Sequence, residues 1–270
     1  MRGIEALLQE VRSHDALQGR TTWLSQLDPR ATVLVTFAFI VVVVSFDRYA
    51  TSGLLALTIF PVVMARLGEL SLRQMGIKVL LAMPFALMIG LFNPIFDQTP
   101  RMALWGYPIA GGWLSFLSIL ERVALTVAAA TILVACLGIH KFCAALKQLG
   151  VPAVLTTQLL FLHRYTQVLA GELGRMNLAR ELRSAATNTM PLAVYGSLLG
   201  HFLLRTLERA QRIHQAMLSR GFDGLLPMRR AQPWRTIDTM FVAISLLTFL
   251  LLRTADLATL LGRLILSTTS

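Results

Sequence analysis

The sequence predicts an all-α membrane protein, with about five transmembrane helices and a module of cytoplasmic helices set between the fourth and the fifth. Three observations predict it. Of 270 residues, 55% are hydrophobic and only 14% charged, whereas a soluble domain carries roughly 25% charged residues; mean hydropathy is +0.64. The apolar residues gather into long runs, and about 20 such residues cross a bilayer as one helix. The Lys and Arg residues behind the net charge of +11 fall very unevenly among the loops.

The apolar runs place spans at residues 31–46, 53–67, 78–96, 113–137 and 237–252. Pro61 is expected to kink the second, Pro84 breaks the third, and Asn93-Pro94 stops it. Backbone facing lipid must satisfy its own hydrogen bonds, so helices are the default, and no alternating ten-residue pattern suggests a barrel. Alternate loops carry twenty Lys and Arg against four, with Arg122 inside the fourth span. Positive residues stay inside, so residues 1–30 and 139–236 read as cytoplasmic and the C-terminus as outside. The expected divisions are an N-terminal cytoplasmic segment (1–30), spans one to four (31–138), a cytoplasmic module (139–236), and the last span with its tail (237–270). Residues 190–207 are apolar enough to suggest a sixth span. That would put the Arg-rich stretch 209–220 outside, so a helix lying on the membrane face is preferred.

Other classes are excluded by what is missing. Two cysteines, Cys136 and Cys143, make no disulfide framework. The polar, amphipathic first thirty residues lack the apolar core and cleavage site of a signal peptide. No basic block is interleaved with stacking aromatics, which argues against nucleic acid as a partner.

Within 139–236, Gly150-Val151-Pro152 separates a short helix from a longer one, residues 186–191 read as a second stop and restart, and Gly221-Phe222-Asp223-Gly224 ends the next helix. The module contains a repeat. Arg175-x3-Ala179-x2-Leu182-Arg183-Ser184 matches Arg212-x3-Ala216-x2-Ser219-Arg220-Gly221 at an offset of 37 residues, each copy with a Glu upstream, Glu172 or Glu208. The small residues Ala179, Ala216, Ser184, Ser219 and Gly221 permit close backbone approach. Arg183 and Arg220 project from helix ends, where a guanidinium donates a bidentate fork to carboxylates or carbonyls. Complementing the helix dipole explains one such Arg; two in matched frames ask for more.

These paired motifs resemble those of the T component of energy-coupling factor transporters. Leu27-Asp28-Pro29-Arg30 is similar to that family's opening motif, and Leu146-x2-Leu149-Gly150-Val151-Pro152, Arg164 and Glu172 follow its order. Arg205-x2-Glu208-Arg209-x6-Ala216-Met217-Leu218-Ser219-Arg220-Gly221-Phe222-Asp223-Gly224 resembles the cobalt branch, the CbiQ-type proteins. Leu182-Arg183-Ser184 departs from the usual Ala-Arg-Gly. The resemblance implies a non-catalytic coupling subunit in the inner membrane, joining two cytoplasmic ATPase subunits to a cobalt-specific substrate-binding membrane subunit, with a small accessory membrane subunit also expected. Arg183 and Arg220 would be the ATPase contacts. Nickel or a vitamin as cargo, and a membrane-bound enzyme whose basic module takes an anionic substrate, are the alternative readings.

No catalytic set, cofactor site or metal site is expected in this chain. Cys136, His140 and Cys143 fall at i, i+4 and i+7, where one helical face could present all three to a metal, but they read more simply as apolar and interfacial residues. Glu121 and Arg122 lie inside the fourth span, where ionisable groups are functional candidates, although adjacent residues point about 100° apart. Gly171-x2-Gly174 is too short for a phosphate loop and has no Lys.

Overall fold

The computed structural model describes residues 23–49, 51–97, 100–104, 107–183, 192–225 and 233–254. It is a helical membrane protein. Its elements are α1 (Trp23–Gln26), α2 (Pro29–Val44), α3 (Thr51–Leu57), α4 (Ile59–Leu67), α5 (Leu72–Gly90), α6 (Asn93–Phe96), the strands β1 (Pro100–Leu104) and β2 (Tyr107–Ala110), α7 (Gly111–Gln148), α8 (Ala153–Arg183), α9 (Leu192–Leu218) and α10 (Thr236–Thr254). The strands form one antiparallel hairpin. Among the described residues, three helical stretches are long and apolar enough to cross a bilayer alone: Leu72–Ile95, Gly111–Gln148 and Thr236–Thr254. Pro29–Val44 and Gly53–Leu67 are shorter apolar helices.

The chain divides into two compact units. One is built from residues 18–138 and 232–270, and the other contains residues 139–231. The division falls inside α7, at Gly138, whose φ of 66° and ψ of 163° are not helical. Side chains essentially exclude this region of backbone space, so only glycine bends the chain there at little cost.

In the first unit, Val35, Phe39 and Val43 of α2 pack with Leu54 and Leu57 of α3, Leu125 and Ala129 of α7, and Phe249 of α10. Phe39 stacks on Phe60 at 4.6 Å between centroids, and Phe249 meets both rings, at 5.4 and 4.9 Å. Much other apolar surface is exposed, most of all on α5, where Leu80, Leu81, Phe85 and Met88 are at least 70% exposed. That is the surface a bilayer solvates.

The start of α2 explains the Asp28-Pro29-Arg30 sequence. Asp28 is the N-cap and accepts the Arg30 N–H at 2.9 Å, while Pro29 fills a first-turn position that needs no donor. The Asp28 N–H donates to Oδ1 of Asp238, 210 residues away, at 2.8 Å. Oδ2 of Asp238 accepts the Arg235 N–H at 2.8 Å. One carboxylate therefore closes the N-termini of both α2 and α10. At the other ends of the same helices, Arg253 donates to the Ser45 hydroxyl at 2.8 Å. With N-terminus tied to N-terminus and C-terminus to C-terminus, α2 and α10 run parallel.

Two local expectations are corrected. The second apolar stretch breaks at Thr58 rather than at Pro61. Pro61 sits in the first turn of α4, and its ring excludes an ordinary helical carbonyl four residues back, at Leu57, where α3 ends. The helix of the fourth apolar stretch runs to Leu137 as expected, and beyond the non-helical Gly138 a second helical segment reaches Gln148. α5 continues through Pro84.

Candidate functional site

The repeat lies in the unit of residues 139–231. α7 ends in a left-handed closure: Val151 N–H reaches Leu146 O at 3.0 Å, Gly150 N–H reaches Lys147 O at 3.3 Å, and Gly150 has φ 97°. α9 ends in the same way. Phe222 N–H reaches Met217 O and Gly221 N–H reaches Leu218 O, both at 3.0 Å, with Gly221 at φ 78°. Two crossed bonds satisfy carbonyls that a helix end otherwise leaves open. Arg220 is thus the last residue before the left-handed turn, which fixes its direction of departure. It lines a shallow depression with Lys147, Met217, Phe222 and Asp223. Phe222 packs near Phe161 of α8, with centroids 6.3 Å apart, and Asp223 accepts the Leu225 N–H in a turn. Among the described residues, nothing lies within 4 Å of a Cβ placed on Gly221. Glycine is required here by its φ, and the described residues leave the space beside it open.

Arg183 is exposed at the end of α8; Ser184 lies outside the described residues. Ala179, Ala216 and Ser219 are exposed as well, with the Ser219 hydroxyl donating back to Gln215 O at 3.0 Å. The upstream glutamates have a definite task. Glu172 pairs with Arg175 at 2.6 Å, and Glu208 with Arg212 at 3.8 Å, so each copy of the repeat starts from an ion pair. Glu172 also reaches across to Arg205 of α9 at 3.2 Å. The hydrogen bond from Arg175, reinforced by Arg205, holds the Glu172 carboxyl below the ordinary carboxylate range. That cross-helix pair is not legible in the sequence, because its members are 33 positions apart and share no motif spacing.

Glu172 and Arg205 face one another, and Arg183 lines the same cleft as Val194 near the start of α9. α8 and α9 are therefore antiparallel, and the two arginines of the repeat stand at opposite ends of the pair. From Val194 to the helix end at Leu218, a rise of ~1.5 Å per residue gives about 36 Å.

The remaining candidates resolve into structure. Arg122 donates from Nη2 to the carbonyls of Phe46 and Asp47, both at 2.8 Å, and so ties down the turn that follows α2. Glu121 keeps one buried carboxylate oxygen with no hydrogen-bond partner among the described residues. Asn93 donates to the Ser115 hydroxyl at 2.9 Å. A Cβ on Gly112 would lie 2.5–2.7 Å from Asn93 O, Pro94 Cα and Asp97 O, so the Asn93-Pro94 turn is seated on the start of α7. Cys136 and the pair His140 and Cys143 lie on either side of the non-helical Gly138, so the one-face reading of those three is overturned. Among the described residues there is no group of three or more His, Cys, Asp or Glu placed to hold a metal.

A relative, an uncharacterized protein from the archaeon Methanocaldococcus jannaschii, is 29% identical to this chain over 83 residues. That stretch covers 30% of this chain and 31% of the relative's length. The family model of the CbiQ cobalt transport proteins matches residues 20–234, a span that holds α2 through α9 and both copies of the repeat. The chain belongs to this family and is a multi-pass membrane protein.

Proposed function

We propose that this chain is the transmembrane coupling subunit of an ATP-driven energy-coupling factor importer for cobalt ions. It passes the closing motion of two cytoplasmic ATPase subunits to a substrate-binding membrane subunit. The observation that carries the reading is the placement of Arg183 and Arg220 at opposite ends of the antiparallel α8–α9 pair, about 36 Å apart along α9 at the usual helical rise. Two equivalent ATPase subunits need two separated contacts, and each end offers an exposed guanidinium. The open space beside Gly221 leaves room for a partner's backbone. In this reading the chain hydrolyses no ATP itself, and the module 139–236 is cytoplasmic, in the inner membrane's inward-facing compartment. The parallel run of α2 and α10 supports opposite sides for the N- and C-termini.

Two measurements test it. In reconstituted vesicles holding all subunits, Arg183→Ala and Arg220→Ala are each expected to remove most metal-dependent ATPase activity and uptake, and the double variant to be little worse than the worse single. Removing one partner of a buried charge pair costs about 2–5 kcal/mol, enough to empty a weak contact. Small, additive losses would reduce both arginines to solvated helix caps. Separately, a single cysteine introduced at Arg229 should resist an impermeant thiol reagent outside intact spheroplasts; labelling there would put the module on the wrong side.

A further inference from the structure

The cleft between α8 and α9 carries more positive charge than its internal ion pairs use. Arg175, Arg180, Arg183 and Arg205 line it together with His201, and among the described residues Glu172 is the one acidic residue in the lining. Glu172 is shared between Arg175 and Arg205. Arg180 has the neighbouring Glu181 at 3.8 Å, yet its buried Nε finds no acceptor among the described residues. Arg183 has no acidic partner among the described residues, and the connecting segment 184–191 contains no Asp or Glu. The helical spacing concentrates these groups: positions 172, 176, 179 and 183 form one stripe on α8, with Arg175 and Arg180 flanking it. Guanidinium groups converging at this density repel each other unless an anion lies between them. Their planar forks match the oxygens of a phosphate group.

We propose that this cleft binds a phosphate-ester group, the chemistry shared by an anionic phospholipid headgroup and free phosphate. The proposal assigns a ligand that is neither an ATPase nor the substrate subunit, and so goes beyond the coupling reading. The apolar part of the cleft favours the lipid source. Met176, Val194 and Leu198 line it between the cations. Leu182 and Leu192, 81% and 87% exposed, stand beside its Arg183 end. Acyl chains would lie along this apolar surface with the headgroup among the arginines. A bound headgroup would hold the two helices at the membrane face and neutralise the charge that drives them apart.

The test uses the purified full-length chain in a neutral detergent, with retained lipid read by native mass spectrometry. Phosphatidylglycerol is expected to be retained in preference to phosphatidylcholine. The double variant Arg180→Gln/Arg205→Gln should lower that preference about tenfold or more, since each basic residue near a surface strengthens anionic-lipid binding about fivefold. Arg205→Lys, which keeps the charge, should retain most of it. The wild-type comparison of the two lipids stands even if the double variant fails to fold. Displacement of phosphatidylglycerol by millimolar inorganic phosphate would support the site with free phosphate as its source, and failure to displace would support the lipid. Equal retention of both lipids, insensitive to phosphate, would overturn the proposal. So would protection of Arg175 and Arg205 from a dicarbonyl reagent by the cytoplasmic partner subunits but not by phosphatidylglycerol or phosphate, because the ligand would then be a protein carboxylate. These readouts need no transport activity, so they separate failure of the cleft proposal from failure of the coupling reading.

Discussion

Replacing Asp238 with alanine removes one carboxylate and opens two helix ends. Asp238 is 2% exposed, and its oxygens accept the Asp28 N–H and the Arg235 N–H, each at 2.8 Å. A hydrogen bond to a charged acceptor contributes about 1.5–3 kcal/mol, and a buried donor left without a partner keeps its full desolvation cost. The Asp28 N–H is buried and would be stranded, which places its loss at about 2–3 kcal/mol. The Arg235 N–H is only partly buried and can turn to water, so its loss resembles that of an ordinary cap, about 1 kcal/mol. The expected destabilisation is therefore about 3–4 kcal/mol. Asp238→Asn keeps an acceptor oxygen but loses the charge and should cost about half as much. The assay is equilibrium unfolding of the purified protein in mixed micelles. Thr239→Ala serves as the control, since it removes only an exposed hydrogen bond from Trp234. A cost for Asp238→Ala within ~0.5 kcal/mol, the range of an exposed substitution, would refute the reasoning. The ends of α2 and α10 would then be held by packing alone.

Two further outcomes follow from single residues. Gly138→Ala forces a side chain into backbone space at φ 66° and ψ 163°, which should cost about 1–3 kcal/mol in the same unfolding assay. A straightened α7, seen as a changed distance between spin labels on either side of residue 138, is the alternative response. The Glu172 pairs should also outlast ordinary carboxylates in acid. Glu172 is held below its ordinary value by Arg175 and then Arg205, so its contribution is fully present above that ordinary value. It declines as pH falls towards the lowered one and is gone below it. The spin-label distance between α8 and α9 should therefore stay constant through mildly acidic pH and widen only at more acidic pH, with Glu172→Gln widened throughout. A transition near neutrality would implicate another group.

Several features were legible in the sequence because they depend on neighbours along the chain. Apolar runs set the class and the five apolar stretches. The Gly150 and Gly221 closures were readable because a left-handed residue at a helix end strongly favours glycine. The Asp28-Pro29-Arg30 motif was visible only as a family likeness, and the structure shows it to be a local cap. The break at Thr58 was misplaced by one helical turn because proline disturbs the carbonyl four residues before it and leaves its own position helical.

Tertiary structure decided what connects distant residues. No periodicity announces that Asp238 will accept a hydrogen bond from a backbone group 210 positions away, or that Ser45 will meet Arg253. Those two contacts make α2 and α10 parallel. Arg122 looked like a functional candidate at depth, and only folding showed its guanidinium on the carbonyls of Phe46 and Asp47. Likewise, the repeat was visible as spacing, but the antiparallel run of α8 and α9 was needed to put Arg183 and Arg220 at opposite ends. The physical reason is the same throughout. Helix formation is governed by residues within about a turn of each other, so sequence pattern determines it. A polar contact between helices depends on which faces the packed chain brings together, and that information exists only once the chain has folded.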